Sequence, residues 1–356
     1  MIITMFQHKL IEWFEKNRRP LPWRRQYGPY EVWVSEIMLQ QTQMDTVLPY
    51  FDRWMKAFPT LASLAAADEK RVLKIWEGLG YYSRARNLHQ SAKMLVEMKS
   101  GHFPEDFESI LALKGVGRYT AGAIASIAFN QPKPIVDGNI LRVLSRLYTL
   151  KEPIDGNIET FWKLQESLIP KENPRDFNQA LMELGALVCS PQNPACALCP
   201  IRPFCQAYKE GNPEAYPVRS PRKKMVKVEA AALALKKNGK YLLRLRPLGG
   251  IMGGLWEFPE WKMARDKALL VERKLNRLKN SAKKEFGINE IKIKHVGRIK
   301  RNYTHHLETL DVFTAELEKS VTPETKWEHI WATPKEFSKY PFSSAHAKIA
   351  HLLTGR

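Results

Sequence analysis

Leu113-Lys114-Gly115-Val116-Gly117-Arg118-Tyr119-Thr120-Ala121 is the stretch on which the fold of this chain turns. Apolar residues recur at helical spacing on both sides of it, over 107–113 and 119–129, so the segment reads as helix, hairpin, helix. The two glycines allow a tight turn. Its backbone N–H groups, with the start of the following helix, suit a phosphate held without reference to base sequence. A plain connector between two helices has the same pattern, and the basic flank is what favours the phosphate.

Outward from the hairpin, helical periodicity fills the chain from the start to about residue 208, as in Leu10, Trp13 and Phe14, or Leu61, Leu64, Val72, Ile75 and Trp76. Val34, Ile37, Met38, Met44 and Leu48 continue it and predict one helix over 32–48. Breaks fall at Pro20-Leu21-Pro22, at 78–80 and at the hairpin. Residues 211–227 hold three prolines and a run of Lys and Arg without periodicity, which predicts a linker. Beyond it, 228–235, 240–245, 291–298 and 309–317 are strand-like, with a helical stretch over 267–286. The expected architecture is therefore multidomain: an all-α domain over 1–210, the linker, and an α+β domain over 228–356.

With 356 residues the chain exceeds a single core. Its 56 Lys and Arg against 37 Asp and Glu leave a net charge of +19, which favours polyanions, nucleic acid first among them. No apolar run approaches the roughly 20 residues of a membrane span. The opening segment lacks the apolar core of a secretory signal, so a cytoplasmic, membrane-free protein is expected, a monomer by default.

The cysteines Cys189, Cys196, Cys199 and Cys205 are separated by six, two and five residues. Such crowding reads as a metal site rather than a disulfide framework, and on chemistry alone tetrahedral zinc and a four-iron cluster both fit. Two carboxylates stand out as well. Glu36 interrupts an apolar helix face: it is either a paired glutamate or an acid whose pKa is raised by apolar surroundings. Asp137, in Pro134-Ile135-Val136-Asp137-Gly138-Asn139, precedes the helical run 140–148, where a helix cap is the default explanation. The competing reading pairs it with Glu36, because cleaving a glycosidic bond takes one carboxyl to protonate the leaving group and one to stabilise the sugar cation.

Together these pieces resemble the helix-hairpin-helix DNA glycosylase superfamily that includes endonuclease III. The resemblance covers the first 210 residues and rests on Val34-Ser35-Glu36-Ile37-Met38-Leu39-Gln40-Gln41-Thr42, Gly78-Leu79-Gly80-Tyr81-Tyr82, the hairpin, Val136-Asp137-Gly138-Asn139 and the four cysteines. It implies a [4Fe-4S] cluster on those cysteines, with Gly115 and Gly117 at the DNA backbone. Within the superfamily the chain is most similar to A/G-specific adenine glycosylases, which implies double-stranded DNA bearing adenine opposite 8-oxoguanine or guanine. Tyr119 stands where endonuclease III has a lysine nucleophile. A phenol forms no Schiff base, so base excision without strand cleavage is expected.

The resemblance further implies Glu36 and Asp137 as catalytic groups, assisted by Asn139 and Tyr119. Gln41 (with Thr42 beside it) and Tyr81 would fill the stack beside the lesion. Arg19, Leu21, Trp23, Gln179 and Met182 would line the pocket for extruded adenine, Gln179 offering its amide; as plain sequence Trp23 and Met182 look like core. The stretch 249–259 resembles the opening of a Nudix fold, but Lys284 stands where a metal-binding acid is expected, so the metal site looks lost. Such a degenerate domain implies 8-oxoguanine recognition through Tyr303, Thr304 and His305, a triplet that otherwise reads as a loop at a strand end.

Overall fold

The computed structural model describes residues 2–98, 101–221, 224–250, 252–265, 268–288, 291–303, 305–318 and 325–355. The chain forms two compact units, Met1–Ala67 with Arg86–Pro221 and Asp68–Ala85 with Arg222–Arg356. In chain order the helices are α1 (Ile2–Asn17), α2 (Pro29–Leu39), α3 (Met44–Ala57), α4 (Leu61–Ala65), α5 (Glu69–Trp76), α6 (Ser83–Glu97) and α7 (Phe107–Leu111). They continue as α8 (Arg118–Ile127), α9 (Gly138–Tyr148), α10 (Ile158–Leu168), α11 (Pro174–Leu187), α12 (Gln206–Lys209), α13 (Val271–Phe286) and α14 (Ser344–Thr354).

The first unit is helical, and its helix starts are written in the sequence. Asp106 accepts the Ser109 N–H at 2.8 Å to begin α7, Thr60 and Ser63 form a reciprocal cap on α4, and Asp137 caps α9. Apolar faces then close a core of Phe14, Trp33, Trp54, Phe58, Ile124, Leu144, Phe177 and Leu181, all fully buried. In it α11 packs on α1, α8 and α9, and α2 packs on α3 and α8.

The apolar series over 32–48 is two helices, not one. α2 stops at Leu39 and α3 starts at Met44, because Gln41 takes a left-handed φ of 58° that a right-handed helix cannot contain. Both helices bury apolar residues in one core, so the periodicity runs on across the break.

The second unit is built on a seven-stranded mixed sheet of β1 (Val226–Lys237), β2 (Lys240–Leu245), β3 (Trp256–Glu257), β4 (Glu260–Arg265), β5 (Ile293–Tyr303), β6 (His306–Glu316) and β7 (His329–Ala332). Its main order is β3-β2-β1-β6-β5, with β4 on β1 and β7 on β2. The central β1 runs parallel to β6 from Val226 opposite His306 to Lys236 opposite Glu316, and the other pairs are antiparallel. Helices cover both faces. Ala230, Ala232 and Ala234 face the layer that holds Ile349 of α14, while Ala231, Leu233 and Leu235 face Leu278, Ala282 and Phe286 of α13.

Residues 68–85 join this unit rather than an unbroken helical domain through 210. Tyr82 Oη donates to Phe342 O at 2.7 Å, the Phe342 N–H donates to Glu77 Oε1 at 2.8 Å, and Lys74 Nζ donates to Tyr340 O at 3.1 Å. At the other end of the linker β1 begins at Val226, two residues earlier than its apolar run suggests. Among the described residues no helix is long and apolar enough to cross a membrane.

Candidate active site

The two carboxylates singled out by sequence lie close enough for the charge of Asp137 to act on Glu36. Glu36 lies on the buried face of α2, 3% exposed, and its Oε2 accepts a hydrogen bond from Tyr119 Oη at 2.9 Å. Tyr119 enters from the first turn of α8, directly after the hairpin. Burial pushes the Glu36 carboxyl up to about 7, the negative charge of Asp137 adds to the shift, and the Tyr119 bond and the Arg24 charge oppose it. Burial and the neighbouring Glu36 raise the Tyr119 phenol well above its usual value, so it stays a proton donor. A carboxyl poised near neutrality is suited to giving up a proton.

Asp137 caps α9 and at the same time lies within electrostatic reach of Glu36. Its Oδ1 accepts the Ile140 N–H at 2.7 Å and its Oδ2 accepts from Asn139 Nδ2 at 3.0 Å. Burial raises this carboxyl, whereas those two hydrogen bonds and Arg142 pull it back towards the charged form. Arg142 Nη2 donates to Asn139 Oδ1 at 2.9 Å and to Gly185 O at 2.6 Å, and its Nε donates to Cys189 O at 2.7 Å. One turn further along α9, Arg146 Nη1 donates to Cys189 Sγ at 3.2 Å. The same helix thus fixes Asp137 at its start and reaches the cysteine loop from its buried face.

At the hairpin, Gly115 has φ of 76°, and a Cβ there would stand 2.5 Å from Asn87 Nδ2, so glycine is required twice over. Gly117 is different: its backbone is extended and a Cβ would meet nothing within 4 Å. It is exposed at the N-terminus of α8, where the first N–H groups of the helix have no intrahelical partner. An anion can approach there.

Of the residues expected around the base, Leu21 and Trp23 are each 5% exposed, and Trp23 packs edge-on against Phe51. Met182 is half-buried on α11. Gln179, one turn before Glu183 on α11, is 3% exposed. Its Oε1 accepts from Arg24 Nε at 2.9 Å, and its Nε2 donates to Tyr27 Oη at 3.3 Å and to Arg175 O at 3.4 Å. The amide expected to face a base is therefore held by protein groups. Arg19 is held by Glu183: backbone N and Nε to Oε1 at 2.9 and 2.8 Å, and Nη2 to Oε2 at 3.0 Å.

Gln41 is exposed in its left-handed turn, and Thr42 Oγ1 donates to Gln40 O at 3.4 Å. Tyr81, in the second unit, is half exposed, with φ of 46°. At the far end of the β5–β6 ladder Tyr303 stands opposite His306, and His305 is an exposed turn residue. Thr304 lies outside the described residues.

The four cysteines, none of them in a disulfide, surround one small cavity together with Arg146, Val188, Pro194, Arg202, Tyr208 and Pro213. Burial pushes the Cys199 thiol up to about 12 and also raises Cys196 and Cys205. The donor set, four thiols on one cavity with a guanidinium N–H on one sulfur, fits a group bound by thiolates. Among the described residues, the set of metal-ligating side chains whose donor atoms lie within 4.8 Å of one another is Glu257, Glu260 and His346, not the cysteines. Four sulfurs on a single zinc ion would stand roughly 3.8 Å apart, given a Zn–S bond of about 2.3 Å.

Residues 34–168 match the HhH-GPD superfamily of base excision DNA repair proteins, and 230–352 match the NUDIX domain. The adenine DNA glycosylase of Homo sapiens is 34% identical over 415 residues, covering 99% of this chain and 75% of the human protein. The chain belongs to the adenine DNA glycosylase family. Among solved structures, a thermostable thymine-DNA glycosylase (28% identity, TM-score 0.54) covers 58% of this chain and 97% of that one. A non-covalent endonuclease III–DNA complex (25% identity, TM-score 0.50) covers 58% and 94%. An adenine DNA glycosylase family member with a helix-hairpin-helix domain and a Nudix-like domain is a base excision repair enzyme that binds DNA.

For this member of the family, sequence reasoning missed Arg24, Tyr27, Arg142, Arg146 and Glu183. A signal existed for two of them. Arg24 directly follows Trp23, and Glu183 lies one helical turn after Gln179, so both neighbour residues already singled out.

Proposed function

We propose that the chain hydrolyses the N-glycosidic bond of adenine paired with 8-oxoguanine or guanine, leaving an abasic site in an uncut strand. The observation that carries this reading is the Tyr119–Glu36 hydrogen bond beside Asp137: a buried carboxyl near neutrality, next to a second carboxylate whose charge is supported by hydrogen bonds. Glu36 delivers its proton to N7 of the extruded adenine, which turns a poor anionic leaving group into a neutral one. Asp137 stabilises the sugar cation that develops, and Asn139, fixed by Arg142, orients Asp137. Tyr119 holds Glu36 in place.

The hairpin N–H groups and the basic surface anchor phosphates, while Gln41, Tyr81 and the sequence Tyr303-Thr304-His305 contact the lesion side of the pair. Cys189, Cys196, Cys199 and Cys205 would hold a [4Fe-4S] cluster, a structural group that would pin the 189–205 loop, which Arg142 and Arg146 of α9 reach at Cys189. In the Nudix-like unit Glu285 accepts from Arg244 at 2.6 Å and from Trp261 at 2.8 Å, and Glu257 and Glu260 are paired with Arg244 and Arg301. Built-in cations thus occupy the carboxylates on which nucleotide hydrolysis would rely.

The test is a duplex with one adenine opposite 8-oxoguanine, in which free adenine and strand breakage are assayed separately. The expected result is adenine released from an intact strand by the native chain, and a loss of about 100-fold or more in Glu36→Gln with duplex binding kept. Prompt strand cleavage, or normal turnover by Glu36→Gln, refutes the mechanism.

A further inference from the structure

Gln179 has its amide locked from two sides. Arg24, which has donors only, occupies Oε1, and the Arg175 carbonyl, which has only acceptor capacity, faces Nε2. Flipping the amide would set N–H against guanidinium and oxygen against oxygen. Glu183 in turn holds the lock: Arg24 Nη2 donates to Glu183 Oε2 at 2.9 Å and Arg24 Nη1 to Arg19 O at 3.1 Å, while Arg19 grips both Glu183 oxygens. The Glu183 carboxylate side chain is 1% exposed and Arg24 is 10% exposed. Burial disfavours the charge on Glu183, but its two arginine partners overcome this and bring it down to about 2. A buried charge that is doubly paired keeps its partners in one geometry.

We propose that the Glu183–Arg24 pair is a specificity device: it fixes the donor–acceptor order of the Gln179 amide so that the pocket takes adenine and rejects 6-oxopurines. The proposal rests on the reading above that Gln179 faces the extruded base. Adenine presents an amino donor at C6 beside a ring acceptor at N1, and hypoxanthine presents the reverse, a carbonyl acceptor beside an N–H. An amide free to rotate pairs with either. A fixed amide matches adenine and meets hypoxanthine with two like-to-like contacts, which in a buried site costs on the order of 100-fold or more. Arg24 keeps one lone pair of Oε1 occupied and leaves the other for the base amino group, while the Nε2 hydrogen that meets Tyr27 Oη at 3.3 Å turns to the ring acceptor, the hydroxyl giving way as the base enters. Glu183 and Arg24 are positioning residues here, since they act through Gln179.

The experiment measures single-turnover release of adenine and of hypoxanthine from duplexes that differ only in that base, opposite 8-oxoguanine and again opposite guanine. The native chain is compared with Glu183→Gln, Arg24→Lys and Gln179→Ala, each first matched to it in duplex affinity and in cluster absorbance. Lysine at position 24 cannot span Glu183 and Gln179 together, so it breaks the lock without removing the charge. The expected result is a preference for adenine of about 100-fold or more in the native chain that falls to about tenfold or less in all three variants. A native chain that releases both bases equally overturns the proposal. So does a preference kept by Glu183→Gln and Arg24→Lys but lost in Gln179→Ala, which removes the lock alone. A preference kept by Gln179→Ala shows that this amide does not read the base, and takes the pocket reading down with the proposal.

Discussion

At the scale of single residues, the site depends on what surrounds one carboxyl. Glu36 sits near neutrality because burial and Asp137 raise it further than Tyr119 and Arg24 lower it. The proposed role of proton donor needs its protonated form, so base release is expected to fall as pH rises through about 7. The proposed role of Asp137 needs its ionised form, which would set the acid limb, above its ordinary value because burial raises it. The Tyr119 bond favours the ionised form of Glu36, so removing it raises the carboxyl further. Tyr119→Phe is therefore expected to move the alkaline limb of single-turnover adenine release to higher pH, by about one unit or less. A limb that stays put, or moves to lower pH, would mean that the hydrogen bond does not set this acidity. Glu36 itself was legible as a carboxyl inside an apolar series. The Arg24–Gln179–Glu183 chain was legible only in part: Gln179 and Glu183 lie one helical turn apart, but Arg24 is 155 and 159 residues from them and pairs by charge and hydrogen bonding, which leave no periodicity.

At the scale of elements, α9 carries the two explanations of Asp137 together. The side chain accepts the Ile140 N–H, which is a cap, and its charge acts on Glu36, which the proposed mechanism uses. Substitution separates them. Asparagine still accepts that N–H, so Asp137→Asn is expected to melt within a few degrees of the native chain and to lose about 100-fold or more of adenine release. Asp137→Ala is expected to lose release and, in addition, about 1 kcal/mol of stability from the missing cap. Thermal melts and single-turnover rates on both variants check this, and near-native release by Asp137→Asn would leave the cap as its whole role. The start of α9 was readable because capping chemistry is local. The break between α2 and α3 was not: Gln41 is an ordinary helix former by propensity, and only its left-handed φ of 58° ends the helix. Nor did alternation mark β1, whose residues are buried on both sides because α13 and α14 cover opposite faces of the sheet.

At the scale of the whole molecule, the two-part organisation was legible in the composition of 211–227 and in the change of period beyond it, and the charge of +19 pointed to a polyanion. What no local pattern could show is that 68–85 belongs to the second unit, since its apolar spacing is that of any amphipathic helix. The attachment is made by backbone groups at 340–342, which bond Lys74, Glu77 and Tyr82 and carry no side-chain signature of their own. It follows that a chain ended at Pro221 keeps the core around α8 and α9 but deprives these three side chains of their partners. Amide hydrogen exchange on that shortened chain is expected to show 69–82 exchanging at least tenfold faster than in the full-length chain, with 118–127 protected as before. Equal protection of 69–82 in both chains would show that the segment is held by the helical unit alone, and the contacts to 340–342 would then be incidental to its order.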